Sequence, residues 1–464
     1  MGLFSWGLAV FVLALVWSRG GALVTTPIGA REEHFAIGQR LYRTDSLAAE
    51  SDPGVLRPPG YPAFVAATLH LRDVFAAMRS LGPTQAGADE DALLFGQCLV
   101  VAATASVIFA FGATVLSPVE AACAGLVFAC GPISIALVGL HSYHVLYILG
   151  LAVGTAQLAF AARAPSGRPL DYLLSGILWG IASLVRPVSL VLPPFVFLLA
   201  RLRRGGAWRS AAHVTLLFTV GMAIPILPYT VRNYSITGRL VLVNVQGGFA
   251  FWATTAGRPQ AHEEFLSWPQ LWREHGMTLY RQVTGDPEYD LATFSTHVIE
   301  LEDAFKRQAL RNLGRRPSVY LHNVANNLWR FCSDSMASWP GTFADQNQVP
   351  RSRARFLVGA YSLGLLLLAL PGLVRGLYLR DASAWTLFLV FCALATAHAI
   401  TFLNPRYTCV KLPLLAMGFT LSLAALEDRS IALWRTRVRL RLPAVLAVTV
   451  LVCSASATVL LLAR

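Results

Sequence analysis

Residues 92–115 read ALLFGQCLVVAATASVIFAFGATV, twenty-four consecutive positions without a charge. A helix needs roughly twenty apolar residues to cross the hydrocarbon core of a bilayer, so this stretch is read as a membrane span. Ten further apolar runs accompany it: Leu3–Trp17, Val119–Leu140, Tyr143–Ala162, Tyr172–Val185, Val188–Ala200, Ala211–Val231, Phe356–Val374, Ala384–Leu403, Leu412–Leu426 and Leu442–Leu462. The run from Leu3 has no basic residue before it and no small-x-small cleavage pattern after it, which predicts an uncleaved first span rather than a signal peptide. Eleven spans make the expected fold class an all-α polytopic membrane protein. The whole chain agrees: of 464 residues, 55% are apolar and 14% charged, a composition that a water-soluble surface cannot easily use. A soluble enzyme, a disordered tail and a disulfide-rich secreted module are excluded. A membrane enzyme, a transporter or channel, and an assembly subunit remain.

Arginine placement orients the spans. Lys306 and Lys411 are the sole lysines among 38 basic residues. With a cytoplasmic N-terminus, the loops holding Arg163 and Arg168, Arg201–Arg209, Arg375 and Arg380, and Arg429–Arg441 all fall on the cytoplasmic side, as the positive-inside tendency requires. Gly20–Asp91 and Asn233–Arg355 are then external. This predicts a transmembrane module at 1–232 that includes the first external loop (20–91), an external domain at 233–355 and a second transmembrane module at 356–464. Nine of the 25 acids lie in the first external segment and eleven in the second, while Glu120, Asp171, Asp381, Glu427 and Asp428 sit at predicted cytoplasmic helix ends. No span carries a carboxylate in its interior, which weighs against an ion-coupled transporter. Within the external domain, apolar residues at helical spacing (Val298, Leu301, Phe305, Leu310, Leu313, then Tyr320, Val324, Leu328) predict two helices broken by Gly314 and Pro317. Arg239–Phe251, rich in Val and Leu with a glycine pair, predicts a short strand or an extended crossover.

Several groups could carry chemistry. Glu32 and Glu33, inside Ala-Arg-Glu-Glu-His-Phe at 30–35, are general-base candidates or, equally, a solvated helix start favoured by the helix dipole. Leu-Arg-Pro-Pro-Gly-Tyr-Pro at 56–62 is a rigid, turning backbone, suited either to holding side chains still or simply to leading into a helix from Ala63. Arg57, Arg186, Arg232 and Arg406 map to the external side against the charge bias. They read as clamps for a phosphate or as arginines snorkelling to lipid head groups. His141 and His144 share a helix face, but no third ligand makes a metal site of them. His262, Glu263, Glu264, Glu274 and His275 read as a solvated acidic loop. The seven cysteines show neither a disulfide framework nor a CxxC pair, and there is no Walker loop, dinucleotide fingerprint or nucleophile elbow.

Taken in order, these motifs resemble the polytopic GT-C glycosyltransferases, in particular the bacterial branch related to aminoarabinose transferase and the protein O-mannosyltransferases. The resemblance rests on the acidic patch with Arg-Pro-Pro-Gly-Tyr-Pro at 57–62, Gln97, Leu-Val-Arg-Pro at 184–187, and Pro-Tyr-Thr-Val-Arg-Asn-Tyr at 228–234. It continues through the helix pair around Arg307–Trp329, His398, Asn-Pro-Arg-Tyr at 404–407 and Leu-Pro at 412–413. It implies an inverting transferase in the bacterial cytoplasmic membrane, with its active site facing outward. Such an enzyme moves a sugar from a polyprenyl-phosphate donor to a lipid, glycan or protein acceptor, with no nucleic acid involved. Glu32 or Glu33 would be the base and Arg57, Arg232, Arg406 and Lys411 would hold the donor phosphate. Tyr61, Gln97, Arg186, His398 and Tyr407 would shape the pocket. No cofactor is required, and a divalent metal ion is compatible. One departure stands out: many relatives carry an acid in the turn where this chain has His141-Ser142-Tyr143-His144, which implies a different substrate, another way of orienting it, or an inactive homologue. The alternative class is a transporter or assembly subunit for lipid-linked saccharides, which would share the external arginines but need no carboxylate base. A channel finds no support, since no filter repeats occur.

Overall fold

A backbone that lies in hydrocarbon must hydrogen-bond to itself, and a helix does so within one segment. The computed structural model describes residues 7, 10, 33–48, 53–78, 88–139, 143–163, 168–203, 208–256, 276–288, 291–333, 351–401 and 409–428, and among these the regular elements are all helices. In chain order they are α1 (Glu33–Thr44), α2 (Gly60–Met78), α3 (Ala88–Gly112), α4 (Pro118–Ala129), α5 (Pro132–Gly139), α6 (Tyr143–Arg163), α7 (Pro169–Val185), a 3₁₀ turn (Pro187–Val191), α8 (Leu192–Arg203) and α9 (Trp208–Thr237). After these come α10 (Gly247–Thr255), α11 (Met277–Thr284), α12 (Leu291–Thr296), α13 (Val298–Arg315), α14 (Pro317–Ser333), α15 (Arg351–Tyr378), α16 (Ala382–Ile400) and α17 (Leu412–Asp428).

Five of these helices contain stretches long and apolar enough to cross a membrane: Asp89–Gly112, Tyr143–Arg163, Trp208–Thr237, Ala360–Tyr378 and Ala382–Ile400. The chain is a multi-pass membrane protein. Five of the eleven expected spans correspond to these helices, four others are shorter, and the runs at Leu3–Trp17 and Leu442–Leu462 lie outside the described residues apart from positions 7 and 10. The run Val119–Leu140 is broken into α4 and α5 at Cys130 and Gly131, because Pro132 cannot continue a helix through its own nitrogen. Hydropathy counts such a run as one because it does not register the interruption.

One end of the bundle gathers the arginines. Arg163, closing α6, donates from Nε to Ser383 Oγ at 2.6 Å and from Nη1 to Thr114 Oγ1 at 2.8 Å. Arg203, closing α8, donates to the carbonyl of Arg380, and Arg375 in α15 donates to Ala425 O of α17. Three of the loops assigned above to the cytoplasm, those at Arg163, Arg203 and Arg375–Arg380, therefore meet at one end, while Arg429–Arg441 lies outside the described residues. The opposite end collects the starts of α2, α6 and α17 and the ends of α7, α9 and α16.

Close backbone contact joins α7 to α9. A side chain at Gly176 or Gly180 would run into the backbone of Phe218 or Met222, and one at Gly221 into Leu173 O. Small residues let membrane helices approach this closely, and packing drives their association where the hydrophobic effect does not. The other face of α9 is apolar and exposed at Leu216, Val220, Ile224, Leu227, Val231 and Tyr234, a lipid-facing stripe at helical spacing.

Residues of α10, α11 and α13 share a smaller core. Trp252, Leu279, Tyr280, Leu301 and Phe305 form it. Residues 239–246 form an irregular, bent segment with one backbone bond from Val245 N to Val55 O, no strand forms there, and Gly247 opens a helix. The reason is Glu302, whose carboxylate accepts from the amides of Gly248 and Phe249 and so caps α10. Burial pushes this carboxyl above its ordinary range, and the two amides pull it back. The expected helix pair is α13 and α14. The break falls at Arg316, because the ring of Pro317 disfavours helical geometry in the residue before it, while Gly314 stays inside α13.

Replacing Gly180 with Leu should cost at least ~1 to 3 kcal/mol, because the obstructing atoms are backbone. Gly314→Ala, which meets nothing within 4 Å, should gain roughly 0.5 to 1 kcal/mol of helix propensity. Thermal unfolding in detergent checks both, with opposite shifts of Tm expected.

Candidate functional site

The sequence Pro228–Tyr234 at the end of α9 is a set of hydrogen-bonding arms. Tyr229 Oη donates to Gly54 O at 2.9 Å, Thr230 Oγ1 to Leu242 O at 2.9 Å, and Asn233 Nδ2 to Val241 O at 3.1 Å and Val243 O at 3.4 Å. The Arg232 guanidinium reaches Pro53 O at 3.3 Å and Gly54 O at 3.4 Å and lies over the Tyr229 ring. One turn of helix thus ties down two irregular segments, 53–57 and 241–243. Gly54 adopts φ +65°, a conformation that favours glycine, and a side chain there would strike Leu47 O. Val55 and Leu56 then pack on Val245 and Val298, and Asn244 donates to Leu56 O.

Held this way, the Arg-Pro-Pro-Gly-Tyr-Pro stretch delivers Tyr61 to the first turn of α2. Gly60 sits against Leu184 and Val185, the end of α7, where a Cβ would come within 2.9 Å of the Leu184 backbone. Tyr61 is fully buried, and its Oη accepts from Gln97 Nε2 of α3 at 2.7 Å. Its ring lies 6.4 Å from that of Tyr143 and 6.1 Å from that of His34. His34 packs on Tyr143 at 4.8 Å, and Tyr143 stacks on His144 at 4.2 Å. Sequence reasoning weighs His144 as a metal ligand and as part of a departing turn with Tyr143, and gives His34 and Tyr143 no role of their own. The available signal is the position of His34 directly after the paired acids.

A second group adjoins the ends of α7 and α16. Arg186, 8% exposed, caps α7 and lies over the Tyr147 ring, whose hydroxyl is 2.9 Å from Ser189 Oγ. His398 stacks on Phe331 at 5.3 Å, and Lys411 Nζ donates to Phe331 O at 2.9 Å and Cys332 O at 3.2 Å. Lys411 is 5% exposed. These carbonyls fix the ammonium without cancelling its charge. Tyr61, Gln97, Arg186, His398 and Lys411 thus occupy the end of the bundle opposite the clustered arginines, and Arg57 is half-buried on the same loop as Tyr61. Glu33 opens α1, although its side chain, together with Glu32, Arg406, Tyr407 and His141, lies outside the described residues. Among the described residues no group of three or more His, Cys, Asp and Glu gathers to hold a metal ion.

The position of α1 is set at its far end. Gln39 donates to Asp89 at 2.8 Å, Tyr42 to Asp73, and Arg72 bridges Asp73 and Asp89. The Tyr42 hydroxyl, and then Arg72, hold the Asp73 carboxyl below the ordinary 3.8 despite some burial.

Residues 74–229 match the family described as dolichyl-phosphate-mannose-protein mannosyltransferase. The archaeal oligosaccharyltransferase AglB from Archaeoglobus fulgidus, in complex with an inhibitory peptide and a dolichol-phosphate, superposes with a TM-score of 0.51 at 13% identity, covering 99% of this chain and 55% of that one. The fold is GT-C-like. The apo oligosaccharyltransferase of Archaeoglobus fulgidus gives 0.50 at 14% identity, with the same coverage. ArnT from Cupriavidus metallidurans gives 0.38 at 15%, covering 90% of this chain and 78% of that one. The GT-C-like chain spans about half the length of the oligosaccharyltransferase, and no curated protein matches it.

Because the folded pKa of Asp73 is lowered, its contribution is present above pH 3.8 and is lost as pH falls through the folded value. Protection of the α1 amides, with exchange rates divided by their intrinsic rates at each pH, should therefore fall on acidification below the ordinary aspartate range. In Asp73→Asn protection should be low already at neutral pH and should not change with pH.

Proposed function

We propose that the protein is an integral-membrane inverting glycosyltransferase. It moves a sugar from a polyprenyl-phosphate donor to a lipid, glycan or protein acceptor at the outer face of the bacterial cytoplasmic membrane. The observation that carries this reading is the placement of two buried cations, Arg186 and Lys411, at the same end of the bundle as Tyr61, Gln97 and the start of α1. The match of residues 74–229 to a dolichyl-phosphate-mannose-dependent family supports it, as does a structural neighbour whose complex contains dolichol-phosphate and a peptide. The division into transmembrane modules at 1–232 and 356–464 flanking an external domain at 233–355 belongs to the same proposal.

In this mechanism Glu32 or Glu33 takes the proton of the acceptor hydroxyl as its oxygen attacks the anomeric carbon. The bond from that carbon to the phosphate oxygen breaks on the opposite face, and the polyprenyl phosphate leaves with the electron pair. Arg57, Arg232, Arg406 and Lys411 hold the phosphate and stabilise the charge that grows on it. Arg232 has a second duty, since the same guanidinium braces the loop at Pro53 and Gly54. Tyr61, Gln97, Arg186, His398 and Tyr407 shape the pocket, and Tyr143 and His34 extend its aromatic wall.

Native mass spectrometry of protein purified with its membrane lipids tests the donor assignment. A retained polyprenyl-phosphate sugar, enriched when Glu32 and Glu33 are both changed to Gln, is the expected result. Only bulk phospholipid in both forms would count against it. The same double variant should lose transfer while keeping donor binding, and full activity would remove the carboxylates from the mechanism. Lys411→Met should weaken donor use by about 1.5 to 3 kcal/mol, one charge-assisted phosphate contact, and leave acceptor use nearly unchanged. An equal loss for both substrates in steady-state kinetics would assign Lys411 to folding instead.

A further inference from the structure

Helix α14 is amphipathic with its polar face turned inward. Asn323 Nδ2 donates to Thr254 O at 2.8 Å, and Asn327 Nδ2 donates to Ala399 O at 3.2 Å and Thr401 O at 2.9 Å. Both asparagines are essentially inaccessible. Phe331 on the same face is buried in the main core beside Phe391 and His398. Tyr320 Oη reaches Ile400 O, and Lys411 holds the carbonyls of Phe331 and Cys332. The opposite face carries Leu321, Ala325, Leu328, Trp329 and Cys332 at helical spacing, with Ser318 and His322 among them, and all of these are exposed. Leu321 is 64% and Trp329 71% exposed.

We propose that α14 is an interfacial helix, lying in the bilayer surface at the end of the bundle that holds the candidate site, with Leu321, Leu328 and Trp329 in the lipid. Two observations commit the face to lipid. The ties from Tyr320 and Asn327 end on the last carbonyls of α16, an apolar helix long enough to span, so α14 runs at the level where that span leaves the hydrocarbon. The exposed Ile400 side chain continues the apolar surface from the span to this level. Arg315 and Arg316, exposed at the start of the helix, are placed to meet head-group phosphates, and tryptophan is at home where one edge is apolar and the other wet. The proposal stands apart from the catalytic reading, since it concerns how the chain sits in its membrane whatever reaction it carries out.

Nitroxide labels test it on the full chain in phosphatidylethanolamine–phosphatidylglycerol nanodiscs. Labels are placed singly at Leu321→Cys, Ala325→Cys and Leu328→Cys in a Cys332→Ser background, with Arg315→Cys as a reference and the unsubstituted background subtracted. Ala325→Cys keeps the test open if a leucine variant fails to fold. Collision with oxygen should exceed collision with a water-soluble nickel chelate at the three face positions, and the order should reverse at 315. Nickel-dominated collision at the face would overturn the proposal by placing it in water. Exclusion of both reagents would overturn it by placing the face under protein.

Discussion

Backbone carbonyls that leave helical geometry at the end of a membrane bundle have to be satisfied from within the protein, and here that task falls to the last turns of α9. Tyr229, Thr230, Arg232 and Asn233 together address Pro53, Gly54, Val241, Leu242 and Val243. An unpaired carbonyl near hydrocarbon is costly, so these four side chains determine where two irregular segments can lie. Everything at this end follows from them. The 53–57 loop carries Arg57 and sets the entry of α2 with Tyr61. The 241–246 segment leads to α10, whose cap on Glu302 orients α13, and α13 leads in turn to the helix that Lys411 anchors.

The structure also gives the glycines near this end a shared role. Gly60 allows α2 to start hard against the end of α7, one residue before Arg186, while Gly176, Gly180 and Gly221 bring α7 and α9 into backbone contact. Main-chain contacts thus join the side-chain arms of α9 in setting Tyr61, Arg186 and Arg232 relative to one another. Such placement is stiffer than anything flexible side-chain packing alone provides.

Much of the architecture was legible in the residues. Apolar runs located the five long helices, the described arginines of three short loops meet at one end, and helical spacing found α13 and α14. What hydropathy could not register was local: Pro132 splits an apolar run, and Glu302, more than fifty residues downstream, turns an expected extended segment at Gly247 into a helix. At the candidate site, Arg186 stands out as an arginine on the external side, whereas Tyr61, Gln97, His398 and Lys411 enter only through the family resemblance. His34 and Tyr143 were not legible, since ring contacts between segments far apart in sequence leave no trace in spacing. The second use of Arg232, bracing carbonyls, is equally invisible in sequence because the loop it braces lies about 180 residues away.

The glycine contact between α7 and α9 has a mechanical consequence. With backbone resting on backbone there is no layer of side chains to slide or rotate, so the two helices form a single rigid beam. The guanidinium at the end of α7 and the loop-bracing arms at the end of α9 must travel together. Any widening of this end to admit a bulky lipid-borne group has to be absorbed elsewhere, and the compliant side is the one closed by longer side chains, where Phe331, His398 and Lys411 join α14 to α16 and α17.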